Sequence, residues 1–461
     1  MFSDATYSER RKRLKSGMKS GLLLFIGNDE SPMNYAANTY EFRQDSSFLY
    51  FFGLDSPGLA AVVDVDEGKD IIFGNDIDIE DIIWMGDMPT LRERARTVGV
   101  RRTAPRKEFG AYVKNAVSCG RRVHYLPPYR AESAAEISSL VGIRTKDVKA
   151  KASTELIAAV IRQRLIKSKD EVREIEAALE VTAEMYRRAM KLARPGRYER
   201  EVVGAMESVV HSVGCLMAFP PIVTINGQVL HNHGHRNELL RGRLLVMDAG
   251  AESWRHYAAD ITRTVPVGGK FSRRQRDIYE IVYEGQDKAI KAIKPGVMFK
   301  EVHLTAARTM ASRLKDLGLM KGSTHDAVAL GAHALFFPHG LGHNMGLDVH
   351  DMEDLGENHV GYDKTVERSS QFGLAYLRMA KKLEPGHVMT VEPGLYFIPA
   401  LFAKWKKEKK FTDFIAYDKV EKFLDFGGVR IEDDVLVTER GRRVLGPPIP
   451  KTVAEVEKAC R

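Results

Sequence analysis

The sequence predicts an α/β protein, of the α+β type, with a small N-terminal α/β domain and a larger second domain that has internal pseudo-two-fold symmetry. Three observations predict this fold class. Short apolar runs alternate with polar stretches up to about residue 150, a long helical segment begins near residue 155, and one strand pattern occurs twice after it. Such alternation is typical of domains in which helices pack on a sheet.

The N-terminal domain is predicted over residues 1–154. Its runs "GLLLFIG", "SSFLYFFGL", "LAAVVDVD", "KDIIFG" and "RRVHYLP" are rich in β-branched and aromatic residues and are separated by polar stretches. A basic helix is expected before the first run. That run is far shorter than the ~20 apolar residues of a membrane helix and too short for the core of a signal peptide. We therefore expect no membrane contact and a cytoplasmic protein.

The second domain is predicted over residues 155–461 and opens with a long helix. Ser168 and Glu171 have the S-x-x-E spacing of a capping box, and apolar residues follow at helical spacing until Pro195 and Gly196.

The same domain contains an internal repeat. "LRGRLLVMDAG" and "LEPGHVMTVEPG" share a glycine turn, a hydrophobic strand, an acid, one residue and a glycine. A second apolar strand with acids follows each copy, in "AADITRTVPVGG" and "GGVRIEDDVLVTERG". Two related strand pairs predict a pseudo-two-fold domain in which each half contributes acids to the centre. The connection between the strands is short in the first half. In the second half it is a charged insertion at about residues 397–425.

Composition narrows the class of protein. The chain has 461 residues, 44% hydrophobic and 29% charged, which is ordinary for a soluble globular protein of several domains. Its three cysteines lie far apart without a CxxC pair, so neither a disulfide framework nor a thiolate metal site is expected. The net charge is +8, and the clearest basic cluster is "KWKKEKK", residues 404–410. Because Glu408 interrupts this cluster, we expect a solvated face and no nucleic-acid binding.

Four acids at the strand ends carry the chemical argument: Asp248, Asp260, Glu392 and Glu432. Each lies in or beside apolar sequence, where a buried carboxylate is costly unless it is paired or binds metal. If the four converge, two divalent cations would neutralise them. A histidine of "HGLGH" would add a nitrogen ligand, and such an oxygen-rich site suits manganese, cobalt or zinc.

Strand geometry refines the assignment around Glu432. Because side chains alternate along a strand, Arg430, Glu432 and Asp434 share one face of "VRIEDD" and Asp433 takes the other. We expect Glu432 to be the ligand and Arg430 to stabilise charge, with Asp434 a less favoured ligand. Thr262, on the face of Asp260, is expected to support a ligand or bound water.

Several other motifs do not fit. "HGLGH" lacks the glutamate of H-E-x-x-H, and the sequence contains neither a phosphate-binding G-x-x-x-x-G-K-[ST] loop nor the G-x-S-x-G of many serine hydrolases. "HNHGH", residues 231–235, could bind one metal ion on a strand, but its Asn and Gly favour a loop in which only His231 matters.

These stretches together resemble the metal-dependent Xaa-Pro peptidases of the pita-bread fold, aminopeptidase P and prolidase. The matching segments are "DAG", "ADITRTVPV", "HGLGHNMGLDVHD", "VEPGLYF" and "GGVRIEDD", which follow the family order over most of residues 155–445. "FRQDSSFLYFFG" resembles the N-terminal domain of the family.

The resemblance implies a dinuclear centre of two divalent ions, manganese first, with cobalt or zinc as alternatives. Its five implied ligands are Asp248, Asp260, His343, Glu392 and Glu432. His339, His350 and His231 match family histidines near the substrate, and Glu392 matches a proton shuttle.

The function implied is an Xaa-Pro aminopeptidase, which hydrolyses the bond before a proline in second position of a peptide. The sequence resembles aminopeptidase P in "FRQDSSF" and prolidase in "GLAYLRMAKKLEPG". An Xaa-Pro dipeptidase is therefore the alternative function. A binding module without activity is a remote alternative, since such proteins typically lose ligands. The expected partners are proline-containing peptides and further copies of the chain, in a dimer or tetramer.

Overall fold

The computed structural model describes residues 2–461 and divides the chain into two compact units. Of the described residues, the first unit comprises 2–164 and 352–359, and the second comprises 165–351 and 360–461. Among residues 2–461, every helix is too short or too polar to cross a membrane.

The first unit is an α/β unit, as predicted. Its strands are β1 (Leu22–Ile26), β2 (Pro32–Tyr35), β3 (Asn38–Thr39), β4 (Ala60–Asp64), β5 (Lys69–Gly74), β6 (Arg102–Pro105) and β7 (Val123–Tyr125). Its helices are α1 (Asp4–Ser16), α2 (Ser46–Phe52), α3 (Ile79–Met85), α4 (Leu91–Arg96), α5 (Glu108–Ser118), α6 (Ala131–Val141), α7 (Thr145–Val148) and α8 (Thr154–Arg164).

Five strands form one mixed sheet in the order β6-β5-β4-β1-β7. β4 pairs antiparallel with β1 and β5, whereas the two outer strands pair in parallel. Four of the five apolar runs supply strands of this sheet, but "SSFLYFFGL" forms α2 instead. The Asp45 side chain accepts a hydrogen bond from the Phe48 N–H at 2.8 Å, and Gly53 ends the helix in the left-handed region at φ 63°. These caps override the strand preference of the aromatic residues.

The second unit contains the repeat. Its helices are α9 (Lys169–Leu192), α10 (Glu199–Ser212), α11 (Arg273–Ala292), α12 (Phe299–Asp316), α13 (Thr324–Leu330), α14 (Glu357–Val360, which begins in the first unit), α15 (Pro399–Lys407), α16 (Tyr417–Val420) and α17 (Val453–Ala459). Its strands are β8 (Leu216–Met217), β9 (Ile222–Thr224), β10 (Leu244–Ala249), β11 (Ala251–Glu252), β12 (Ile261–Pro266), β13 (Val388–Val391), β14 (Gly394–Tyr396), β15 (Gly428–Arg430), β16 (Asp433–Thr438) and β17 (Gly441–Val444).

Each half of this unit has two long helices and then an antiparallel strand pair. α9 and α10 precede β10 and β12, and α11 and α12 precede β13 and β16. The sheets of the two halves meet where Thr262 forms an antiparallel bridge with Glu432. The predicted pseudo-two-fold plan is therefore confirmed, and the acids of both halves lie at the seam.

The helix predicted to open the second domain is interrupted. α8 ends at Arg164 and α9 begins at Lys169, with Ser168 and Glu171 forming the capping box at the start of α9. The capping box was correctly located, but it starts a new helix after a break, because an N-cap residue has non-helical backbone angles. Lys167 lies in that break.

The basic run 404–410 is part of α15 and the turn after it. Trp405 is buried, Lys406 pairs with Glu421 at 2.8 Å, and the Lys410 ammonium lies 4.5 Å from the centre of the Trp405 ring. The run thus belongs to the predicted insertion.

Candidate metal centre

Strand ends bring the four predicted acids together. Asp248 is the penultimate residue of β10, and Asp260 directly precedes β12. Glu392 follows β13, and Glu432 lies between β15 and β16. All four line one cavity of about 520 Å³, together with the other five predicted residues. Those five are His231, His339, His343, His350 and Arg430.

The tightest group in this cavity consists of Asp260, His343 and Glu432. Each offers one ligand atom, and these three atoms lie within 4.8 Å of one another. The His343 Nε2 atom is 3.4 Å from Asp260 Oδ2 and 3.8 Å from Glu392 Oε1. All three residues are buried. Two carboxylates and an imidazole at this separation form a chelating arrangement for a divalent cation.

The "HGLGH" segment is an ordered loop held against β13. The His343 N–H donates to Thr390 Oγ1 at 3.1 Å, and the Thr390 N–H donates to the His343 carbonyl at 3.0 Å. A Cβ atom on Gly342 would lie 2.0 Å from the Thr390 carbonyl oxygen, so only glycine permits this approach. The ring of His350 lies edge to face with that of His343, with centres 4.2 Å apart.

Burial and mutual repulsion dominate the electrostatics. Burial, and then the charge of Glu392, raises the pKa of Glu432 well above its usual value. Burial and the nearby Glu432 do the same for the pKa of Asp260. Burial also raises the pKa of Glu392 to about 7, although Arg430 opposes the shift. Burial lowers the pKa of His343 well below its usual value, which keeps the imidazole neutral, as a metal ligand must be.

Unpartnered oxygen atoms test whether a cation fits. In the described part of the chain, Oδ1 of Asp260 and Oε1 of Glu432 are buried and accept no hydrogen bond. A buried oxygen without a donor is costly, and a divalent cation removes that cost. The donor set of oxygen atoms and one imidazole therefore fits divalent metal ions.

Arg430 connects Asp248 with Tyr396 and Thr262. Its guanidinium donates to Asp248 Oδ2 at 2.6 Å, to the Tyr396 hydroxyl at 2.9 Å and to Thr262 Oγ1 at 3.2 Å. Tyr396 is also 2.9 Å from His339 Nε2. Thr262, predicted to support a ligand, donates to Glu432 Oε2 at 2.6 Å.

The remaining acids after Glu432 have other partners. Asp434 Oδ2 accepts from the Asp260 N–H at 3.1 Å, so this residue fixes the backbone of another acid. Asp433 pairs with Arg263 and with Lys451, each at 2.6 Å. Neither lines the cavity formed by the described residues.

Sequence reasoning missed several residues of the cavity wall: Phe219, Leu230, His233, Phe372, Tyr376 and Arg378. Most of them come from loops without a repeat or recognised spacing. Tyr396, which contacts both Arg430 and His339, lies two residues after the "VEPG" motif, and this proximity is the sequence signal that could have identified it. His231 lies in a loop, as expected, and is exposed at the cavity mouth.

Comparisons with known proteins identify the family of each part of the chain. The model of metallopeptidase family M24 matches residues 173–439, and the aminopeptidase P N-terminal domain matches residues 7–124. Human Xaa-Pro dipeptidase is 31% identical over 98% of this chain and 90% of its own length. A probable Xaa-Pro aminopeptidase from Aspergillus niger is 32% identical over 94% of this chain and 87% of its own.

Solved structures share the fold of this chain over nearly the full length of each pair compared. Zinc-substituted Escherichia coli aminopeptidase P in complex with product has a TM-score of 0.81 and 29% identity, covering 100% of this chain and 98% of its own. Pseudomonas aeruginosa aminopeptidase PepP gives the same values. A metallopeptidase family implies divalent metal ions, and the cavity has carboxylates and a histidine placed to bind them. The chain belongs to metallopeptidase family M24.

Proposed function

We propose that this chain is an Xaa-Pro aminopeptidase, which removes the first residue from peptides that have proline in second position. The observation that carries the proposal is the convergence of all nine predicted site residues in one cavity. The match of residues 7–124 to the aminopeptidase P N-terminal domain supports the aminopeptidase assignment.

Five residues would hold two divalent ions, with Mn²⁺ favoured and Co²⁺ or Zn²⁺ as alternatives: Asp248, Asp260, His343, Glu392 and Glu432. When bound, such ions supply Lewis acidity and lower the pKa of a water molecule. The carboxylates would neutralise the ions, and the neutral imidazole of His343 would supply a nitrogen ligand. Oxygen-rich sites of this kind suit Mn²⁺ better than thiolate sites do.

The protein's own groups would orient the substrate and move the proton. Glu392 is the proposed shuttle because its carboxyl group lines the cavity beside the metal cluster, 3.8 Å from His343 Nε2, where it can accept and release a proton. Both ring nitrogens of His339 have neighbours, at 2.7 Å from the Gly340 carbonyl and 2.9 Å from Tyr396. His339 therefore suits a wall of the proline pocket. His350, together with His231, would stabilise the oxyanion, since both line the cavity.

Selectivity for proline would come from the shape of the pocket. The bond before proline is a tertiary amide without an N–H, so no acceptor in the pocket can select it through a hydrogen bond. Phe219, Leu230 and Phe372 offer apolar surface to the pyrrolidine ring.

An Xaa-Pro dipeptidase is the second candidate, because Arg378 also lines the cavity. A guanidinium suits the free carboxylate that a dipeptide places directly after proline. Turnover of Ala-Pro and of Ala-Pro-Ala by Mn²⁺-reconstituted protein separates the two functions. Cleavage of the tripeptide alone identifies the aminopeptidase, and cleavage of the dipeptide alone identifies the dipeptidase. If neither is cleaved while two equivalents of metal are bound, the proposal fails.

The metal ligands have a direct test. Replacing Asp260 or Glu432 by Ala is expected to abolish turnover and metal loading together, since these residues lie at the centre of the ligand cluster. Metal content by elemental analysis, with melting temperature as a folding control, measures this. Full activity in either variant would remove that residue from the ligand set.

We also propose a cytoplasmic homo-oligomer, a dimer or tetramer. Cys119, Cys215 and Cys460 are free thiols, as suits a reducing compartment. Analytical ultracentrifugation tests the oligomeric state; a monomer at micromolar concentration would contradict it.

A further inference from the structure

An ion pair is buried outside the metal cluster, and none of the steps proposed above uses it. Lys167 Nζ donates to Asp351 Oδ2 at 2.8 Å, and each side chain is only 1% exposed. Removing two charges from water costs several kcal/mol per ion, and a well-packed apolar pair is often at least as stable. A buried ion pair therefore contributes a fixed geometry more than it contributes stability.

Asp351 closes the loop that carries His350. Its N–H donates to the Asn344 carbonyl at 2.9 Å, and its carboxylate accepts from the Asp348 N–H at 3.4 Å. The same carboxylate packs on Gly346, where an added Cβ would lie 2.5 Å from Oδ2. Residues 344–351 are thus folded around one carboxylate. His350 is the neighbour of that carboxylate in sequence and lines the cavity.

The backbone of Lys167 is hydrogen-bonded to the segment that precedes β13. Its backbone N–H donates to the Gly386 carbonyl at 2.9 Å, two residues before the strand β13 that leads to Glu392. His387 faces Lys167, but burial, reinforced by the Lys167 charge, lowers the pKa of His387 to about 3. The neutral imidazole does not compete for Asp351. Lys167 therefore ties the His350 loop to β13.

We propose that Lys167 is a positioning residue for His350, acting through its ion pair with Asp351. The inference rests on the proposed function, in which His350 stabilises the oxyanion. Lys167 would contact neither substrate nor metal, and its loss would let the loop shift.

Lys167→Met keeps an unbranched side chain that is one atom shorter and removes its charge. Because a displacement of about 1 Å can cost up to ~100-fold in rate, we expect kcat to fall at least about 10-fold with KM changed less than about 3-fold. Both metal ions should remain bound. Lys167→Arg should recover most of kcat. A wild-type kcat in Lys167→Met would overturn the proposal.

The matched control is Arg11→Met in the first unit. Arg11 has a side chain 1% exposed and pairs with Asp70 at 2.9 Å, so the variant also loses a buried cation. We expect a lower melting temperature and an unchanged kcat. An equal loss of kcat in both variants would show a general effect of destabilisation and overturn the specific role.

A double-mutant cycle tests whether Lys167 acts through His350. In a His350→Ala background, Lys167→Met should lower the residual kcat by less than about 2-fold, because the group that it positions is absent. If the two effects multiply, Lys167 acts through something else.

Hydrogen exchange of the metal-free protein gives a readout independent of turnover. Amides of residues 344–351 should exchange faster in Lys167→Met than in wild type or Arg11→Met. Unchanged exchange would overturn the anchoring role, even if the wild type cleaves neither test peptide and the proposed function has failed. If Lys167→Met does not fold, the neutral pair Lys167→Met/Asp351→Asn replaces it. A wild-type kcat in that double variant would contradict the proposal.

Discussion

Arg430 contacts both sides of the acid cluster. One nitrogen of its guanidinium binds Asp248, and another binds Thr262, whose hydroxyl donates to Glu432. The third binds Tyr396, which contacts His339. A planar fork with fixed donor directions can make these contacts at once, whereas an ammonium group acts as a single point charge.

Arg430→Lys is therefore expected to be a severe change despite the retained charge. Losing two of the three contacts should lower kcat/KM by about 10- to 100-fold, equivalent to about 1.4–2.7 kcal/mol of transition-state stabilisation. Kinetics on Ala-Pro-Ala and metal content would be measured together. Arg443→Lys, at the exposed pair with Glu176, serves as the control. Equal kinetic constants in the two variants would contradict the role of the three guanidinium contacts of Arg430.

Metal binding should release protons. Burial and repulsion raise the pKa values of Asp260 and Glu432, and that of Glu392 to about 7, in the metal-free protein. These groups hold protons below their raised pKa values, so metal affinity should fall as pH decreases through that range. Calorimetry of Mn²⁺ binding at pH 7, in buffers of different ionisation enthalpy, should show release of about one proton or more per chain. A heat independent of the buffer would argue against protonated ligands.

At the scale of elements, the glycines of "HGLGH" determine how closely the loop approaches β13. A methyl group on Gly342 would lie 2.0 Å from the Thr390 carbonyl oxygen. The loop would have to move away from β13, which would break the two hydrogen bonds between His343 and Thr390. We expect Gly342→Ala to lower stability by about 2 kcal/mol or more and to weaken metal binding.

Gly204→Ala is the control for that variant. Gly204 lies within α10, and a Cβ there meets nothing within 4 Å, so alanine should stabilise the helix by about 1 kcal/mol. Urea unfolding of both variants would be compared. A neutral Gly342→Ala would show that the loop can move away from β13.

Sequence reasoning located the elements that have a local signal. The repeat identified β10 and β13, and the acids at their ends proved to share one cavity. It placed the capping box at Ser168 but not the helix break before it. It did not identify Asp45 and Gly53 as the caps of a helix. The aromatic run between them, which forms α2, was therefore not recognised as helical.

The residues that sequence reasoning missed are brought in by long-range packing. Arg378 and Phe372 belong to a loop with little regular structure, and neither recurs in the two halves. Lys167 carries no signal of its own in the sequence, because its importance depends on a partner 184 residues away. Local periodicity reports which face a residue takes, but it does not report which distant segment packs there.

At the scale of the whole molecule, buried histidines make stability depend on pH. Burial lowers the pKa of His303 and of His387 to about 3, and that of His333 to about 4. The unfolded chain binds protons at these groups near pH 6.5, whereas the folded chain does not. Their contribution to stability is complete above pH 6.5 and is lost as pH falls towards 3.

The raised pKa values of the site carboxyl groups change the free energy of unfolding with the opposite sign as pH falls. Comparing His303→Leu with the wild type isolates the histidine effect, because both proteins keep those carboxyl groups. Lowering the pH from 6.5 to 5 should cost the wild type about 2 kcal/mol more than the variant in free energy of unfolding. Urea titrations at both pH values measure the difference. His325→Gln, whose side chain is 79% exposed in the wild type, should behave like the wild type. Identical pH dependence in His303→Leu would contradict the assignment.

The seam between the two halves also has a consequence for biosynthesis. Arg430 and Asp248 are 182 residues apart in sequence. At about 5–20 residues per second, a ribosome needs on the order of 10 to 40 s to make that stretch. For most of this interval the chain contains Asp248 and Asp260 but not yet Glu392, and Arg430 and Glu432 are made last. A nascent chain therefore cannot load its ions or act on peptides until its second half has emerged and docked.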